Sequence, residues 1–184
     1  MAQLRHSKRN ARTGRPELMI ALAFIGGTVL LLAIGAALAN RPVALVSDGD
    51  IVHGAVLRAT HEMGGGKPIP FLPKDEPQPN VVVDEAFYDF GRVGAKDVVT
   101  RTFVVRNNGE APLTISRAYT TCGCTTAEVS ADTIPPGKAV TVELVFDAGF
   151  HDAAGQTVRR GVILENNDPD QPQTELWVQA EVAN

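Results

Sequence analysis

The sequence predicts an all-β antiparallel sandwich of about seven strands, carried on a single membrane helix through a proline-rich spacer. Three observations lead there. An uncharged apolar run fills residues 19–39. Glycines and prolines crowd residues 64–79. From residue 81 onward, apolar side chains recur at every second position between closely spaced turn signals.

The amino end is basic: residues 1–18 carry Arg5, Lys8, Arg9, Arg12 and Arg15 against Glu17 alone. Since the whole chain has a formal net charge of -4, the remainder is strongly acidic. An acidic body excludes nucleic acid as a partner, because phosphate binding needs a basic face. The basic cluster instead flanks Met19–Ala39, where roughly 20 apolar residues suffice to cross a hydrocarbon core. The positive-inside rule then places residues 1–18 in the cytoplasm and everything after Asn40 outside. Ala37-Leu38-Ala39 fits a cleavage site, but the apolar run exceeds the length of a signal-peptide core. An uncleaved anchor in a bacterial cytoplasmic membrane, crossing once, is the favoured expectation. Small residues on this helix, such as Ala33 and Ala37, permit close packing against another span.

Residues 40–80 read as an extracytoplasmic spacer. Pro68, Pro70, Pro73, Pro77 and Pro79 favour extended polyproline II, and Gly64-Gly65-Gly66 forms a joint ahead of them. A short helix is expected to begin at Asp48 or Asp50, with Gly54 counting against it. His53, His61 and Met63 read as ordinary spacer residues.

Residues 81–184 form the folded domain. Strands are expected at 81–84 with 87–91, 98–107, 112–119, 125–129, 139–147, 156–165 and 173–182. Val140, Val142, Leu144 and Phe146 share one face, as do Leu176, Val178, Ala180 and Val182, which turns Trp177, Gln179 and Glu181 outward. Phe103 and Val105 share a face of another strand. Asn108-Gly109, Pro135-Pro136-Gly137, Gly149, Gly155 and Asn167-Asp168-Pro169 punctuate them. The pattern is that of an immunoglobulin-like sandwich without its Cys-Trp-Cys signature, so apolar burial must hold the sheets together. Apolar residues are 44 % of the chain, enough for a core of that kind.

The stretches F-Y-D-F-G-R-V, T-F-V-V-R-N-N-G-E-A-P-L-T-I, T-T-C-G-C-T-T, I-P-P-G and E-N-N-D-P-D-Q-P occur in that order between about Val83 and Val182. This series resembles the bacterial family catalogued as domain of unknown function 1573. That family is similar to Hydin-type and major-sperm-protein-type immunoglobulin-like sandwiches. The resemblance implies the fold and an envelope location; it implies no activity.

Both cysteines of the chain lie in Thr121-Cys122-Gly123-Cys124-Thr125. Three readings stay open. A local Cys122–Cys124 disulfide suits an oxidising compartment, but closing so short a loop stabilises by only about 1.6 kcal/mol, against about 3 for fifteen residues. Thiol–disulfide exchange is a second reading; the strand-rich context lacks the helix N-terminus that activates such thiols, with Arg117 the candidate to help and Glu128 unhelpful. A soft-metal site is the third, with Cu(I) as the ion and Cys122, Cys124 and His151 as ligands. In a sandwich of this connectivity the segment after the third strand and the loop holding His151 emerge at one end.

No nucleophile–base pair, zinc-peptidase motif or phosphate-cradling loop stands out. Asp147 and Asp152 flank a loop as solvated carboxylates, and Asn166-Asn167-Asp168-Pro169-Asp170 fits a turn better than a calcium loop. Arg159-Arg160 reads as a small basic surface spot. Trp177 and Tyr119 are candidate exposed aromatics; an outward Trp on an edge strand would mark a partner surface, or be covered by the spacer. The chain is thus expected to be a non-enzymatic envelope protein without a resident cofactor. It would contact other envelope or membrane-complex proteins, as an interaction module or accessory subunit. The alternative is a copper or redox role at Cys122 and Cys124.

Overall fold

A computed structural model describes residues 47–59, 61, 68–150 and 153–184. The predicted basic tail, the span at 19–39, the beginning of the spacer and His151 lie outside the described residues. No helix among the described residues is long and apolar enough to cross a membrane.

The described chain is a two-sheet β-sandwich with ten strands, where about seven were expected. They are β1 (Leu57–Ala59), β2 (Val81–Val83), β3 (Phe87–Val93), β4 (Val98–Asn107), β5 (Leu113–Thr120), β6 (Thr125–Val129), β7 (Thr133–Ile134), β8 (Ala139–Asp147), β9 (Thr157–Asn166) and β10 (Gln173–Val182). One sheet has the order β1-β6-β8-β4-β2 and the other β3-β10-β9-β5-β7. All neighbours are antiparallel except β3, which runs parallel to β10.

Alternation explains the core. Val140, Val142, Leu144 and Phe146 of β8 are buried, as are Leu176, Val178, Ala180 and Val182 of β10, and Phe103 and Val105 of β4. These inward faces meet between the sheets. Fully burying each Leu or Val there contributes roughly 1.5–3 kcal/mol.

Three strands depart from expectation. The predicted first strand is two, because the chain crosses from one sheet to the other after β2. Ala86 then accepts the Trp177 amide at 2.8 Å and starts β3 beside β10. The short β7 pairs with the start of β5 through Leu113 and Ile134. β1 arises from the stretch read as spacer. Residues 48–59 lie along the sandwich: a single 3-10 turn (Asp48–Asp50) replaces the expected short helix. Lys138 Nζ binds Asp50 Oδ1 at 2.9 Å, Ala139 O accepts from Val52 N at 2.7 Å, and β1 adds to β6. The sheet therefore begins ahead of residue 81.

The other end is organised by buried amides. Asn107 Nδ2 donates to Ala111 O and Ile134 O, and its Oδ1 accepts from the backbone of Asn80 and Gly109. Asn166, Asn167 and Asp168 are buried in the β9–β10 connection. Asp168 Oδ2 accepts from Val81 N at 2.7 Å, and Oδ1 accepts from Asp170 N at 2.9 Å and Gln171 N at 3.3 Å. Asn167 Oδ1 accepts from Thr114 N at 2.7 Å. This segment is a turn, as expected.

Candidate functional site

β5 and β6 belong to different sheets, and the turn joining them carries both cysteines. Backbone bonds fix that turn on two sides. Thr121 N donates to Gly161 O at 3.0 Å while Thr121 Oγ1 accepts from Gly161 N at 3.0 Å, tying it to β9. Cys124 O accepts from Asp147 N at 3.0 Å, tying it to the end of β8. Within the turn, Cys122 O accepts from Thr120 Oγ1 at 3.0 Å and Thr125 N at 3.3 Å.

Cys122 and Cys124 are joined by a disulfide, with their Cα atoms 5.3 Å apart. The two sulfurs differ in environment. Cys122 is half-buried, with its Sγ 3.3 Å from Thr125 Oγ1. Cys124 is 4 % exposed, and its Sγ accepts from Arg160 Nε at 3.2 Å. Phe150, from the β8–β9 loop, lies against the turn. A Cβ at position 123 would sit 3.3 Å from its ring, so Gly123 lets the ring approach. The turn and that loop thus share one end of the sandwich, as the topology argument required. His61 also reaches this end, its Nδ1 donating to Thr120 O at 3.1 Å.

The residues around the sulfurs are not those the sequence suggested. Arg117 is engaged with Glu165, which its Nη2 binds at 3.1 Å, and its guanidinium lies 4.4 Å from the Tyr119 ring centre. Glu128 pairs with Arg58 of β1. Arg159 and Arg160 do not form one basic spot. Adjacent strand residues point to opposite faces, and Arg160 shares the inward face with its cross-strand partner, buried Val178. Counting by twos from buried Val158, Val162 and Leu164 would have identified Arg160; its neighbour concealed it. For the metal reading, the two sulfurs are bonded to each other, so both would have to be reduced to serve as thiolates. The described residues hold no group of three His, Cys, Asp or Glu side chains suited to a metal.

Of the candidate exposed aromatics, Tyr119 is corrected: it is 8 % exposed, capped by Arg117. Trp177 does face outward but not on an edge, since β10 lies between β3 and β9. Its indole Nε1 donates to Glu175 at 2.9 Å. Arg159 stacks 5.0 Å from the Trp177 ring and 5.2 Å from that of Phe87, which is 41 % exposed. Gly161 lies beneath the indole; a Cβ there would meet Trp177 Cε3 at 2.7 Å and Leu176 O at 2.8 Å. The result is an outward cluster of two aromatic rings and a cation.

A family profile described as "Protein of unknown function (DUF1573)" matches residues 81–182. No curated protein matches the chain. Among solved structures, a protein of unknown function from Porphyromonas gingivalis W83 is 22% identical with a TM-score of 0.49, over 57% of this chain and 46% of that one. The chain thus spans about half of that protein's length. A PapD-like domain of human CEP192 is 10% identical with a TM-score of 0.43, over 67% of this chain and 98% of that one. A secreted serine protease, VesC, from Vibrio cholerae is 12% identical with a TM-score of 0.42, over 57% of this chain and 23% of that one.

Proposed function

The chain belongs to the DUF1573 family of proteins of unknown function, and within it we propose for this chain the role of a membrane-tethered adaptor without catalytic activity. The span at 19–39 holds the sandwich on the extracytoplasmic side of a bacterial cytoplasmic membrane. The sandwich docks on other envelope or membrane-complex proteins through the outer face of β3, β9 and β10. The carrying observation is the Phe87–Arg159–Trp177 cluster. Trp and Arg are the residue types that concentrate binding energy at interfaces, and here they are stacked rather than free to rotate. The acidic body of the chain supports protein rather than nucleic acid as the partner.

The test is recovery of neighbours with the full-length chain from mild detergent, compared with a Phe87→Ala, Trp177→Ala double variant. The wild-type chain is expected to bring down a defined membrane protein, and the variant to recover it at least tenfold less. A chain that migrates alone, or a double variant that retains the same neighbour, overturns the reading.

A further inference from the structure

We propose that the Cys122–Cys124 disulfide is an exchangeable oxidant for a dithiol, with Cys122 as the sulfur attacked and Cys124 as the leaving sulfur. This goes beyond the adaptor reading and does not rest on it.

Three observations carry it. First, the bond contributes little as a staple: a three-residue loop is worth about 1.6 kcal/mol in chain entropy. Second, the sulfurs are unequal. Cys124 is 4 % exposed beneath the turn, whereas Cys122 is only half-buried, so an incoming thiolate reaches Cys122 first. Third, Arg160 occupies an inward-facing position of β9 and aims Nε–H at Cys124 Sγ from 3.2 Å. Among the described residues no carboxylate is paired with it. A disulfide sulfur is a weak acceptor, but a thiolate makes a charge-assisted bond to guanidinium. The contact therefore gains most of its strength when the disulfide opens, which favours Cys124 as the sulfur that leaves.

A thiolate of the dithiol attacks Cys122 Sγ and forms a mixed disulfide. The Cys122–Cys124 bond breaks, and its electron pair goes to Cys124 Sγ as a thiolate facing Arg160. The second thiolate of the dithiol then attacks its own neighbour's sulfur in the mixed disulfide and releases Cys122 as a thiolate. The dithiol leaves oxidised to a disulfide, having given up two electrons and two protons. The chain is left with two reduced cysteines. Each chain oxidises one dithiol, so the exchange is stoichiometric.

The test uses the full-length chain in detergent with two probes: dithiothreitol as dithiol and glutathione as monothiol. The glutathione adduct, mapped by mass spectrometry after acid quench, is expected on Cys122. Arg160→Met is expected to slow reduction by dithiothreitol about tenfold, while Arg160→Lys, which keeps a cation, restores most of the rate. An adduct predominantly on Cys124, equal rates in all three chains, or a bond that excess dithiothreitol leaves intact in the folded protein overturns the proposal. Thermal melting identifies a Met variant that has not folded, in which case the adduct position in the wild-type chain decides.

Discussion

Asp168 is buried, and both its carboxylate oxygens accept from backbone amides, reaching Val81 at the start of β2 as well as Asp170 and Gln171 in its own turn. A buried donor that loses its acceptor costs the desolvation of the whole group, more than the bond contributed when made. Asp168→Ala is therefore expected to lower stability by about 3 kcal/mol, read from the midpoint of urea unfolding. Asp168→Asn keeps one acceptor oxygen and should lose clearly less. At this scale the sequence was legible where chemistry is local. Asn166 to Asp170 read as a turn because its polar side chains bond to the backbone within it. Arg160 and Tyr119 were not legible, because their roles depend on which side of a strand they occupy and on what crosses from the neighbouring strand. Trp177 was placed outward correctly, since the run Leu176, Val178, Ala180 and Val182 fixes the parity of β10.

Among the elements, the long strands declared themselves. β4, β6, β8 and β10 have the expected bounds; in β8 and β10 the apolar residues recur at every second position over most of the strand. β1 and β7, with three and two residues, contain no complete pattern; they exist because a neighbouring strand offers free amides. The lead-in to β1 is held partly by charge. The hydrogen bond from Lys138, joined by one from Ser47 and by the Lys138 charge, holds the Asp50 carboxyl below its ordinary value of 3.8. Because the folded value is depressed, the contact contributes at pH above that range and fades as pH falls through the lowered value. An NMR titration of Asp50 is expected to show a midpoint below 3.8, returning toward it in Lys138→Met. A midpoint unchanged by the substitution would remove Lys138 as the cause.

Taken as a whole molecule, the sandwich begins well before the stretch shared with its family. Residues 81–182 match the family profile, yet β1 and its lead-in are hydrogen-bonded to β6 and β8. A chain beginning at Leu45 and one beginning at Pro68 should therefore differ. The second uncovers the edge of β6 and loses buried Ala59, and its unfolding midpoint should fall by an amount equivalent to about 2 kcal/mol. Equal midpoints in thermal melts of the two would return residues 48–59 to the role of plain spacer. The two-sheet architecture was visible in the sequence because burial alone demands it. The extra strands were not, because they come from residues whose own pattern is too short or too polar to announce a sheet.

β10 is an interior strand of its sheet, hydrogen-bonded to β9 on one side and to β3 on the other. Ribosomes deliver it after the other nine described strands. Until β10 has emerged, β3 has no partner among the described strands. The partner that seats β3 is thus supplied from some eighty residues further along the chain, and a product halted before β10 leaves β3 without it.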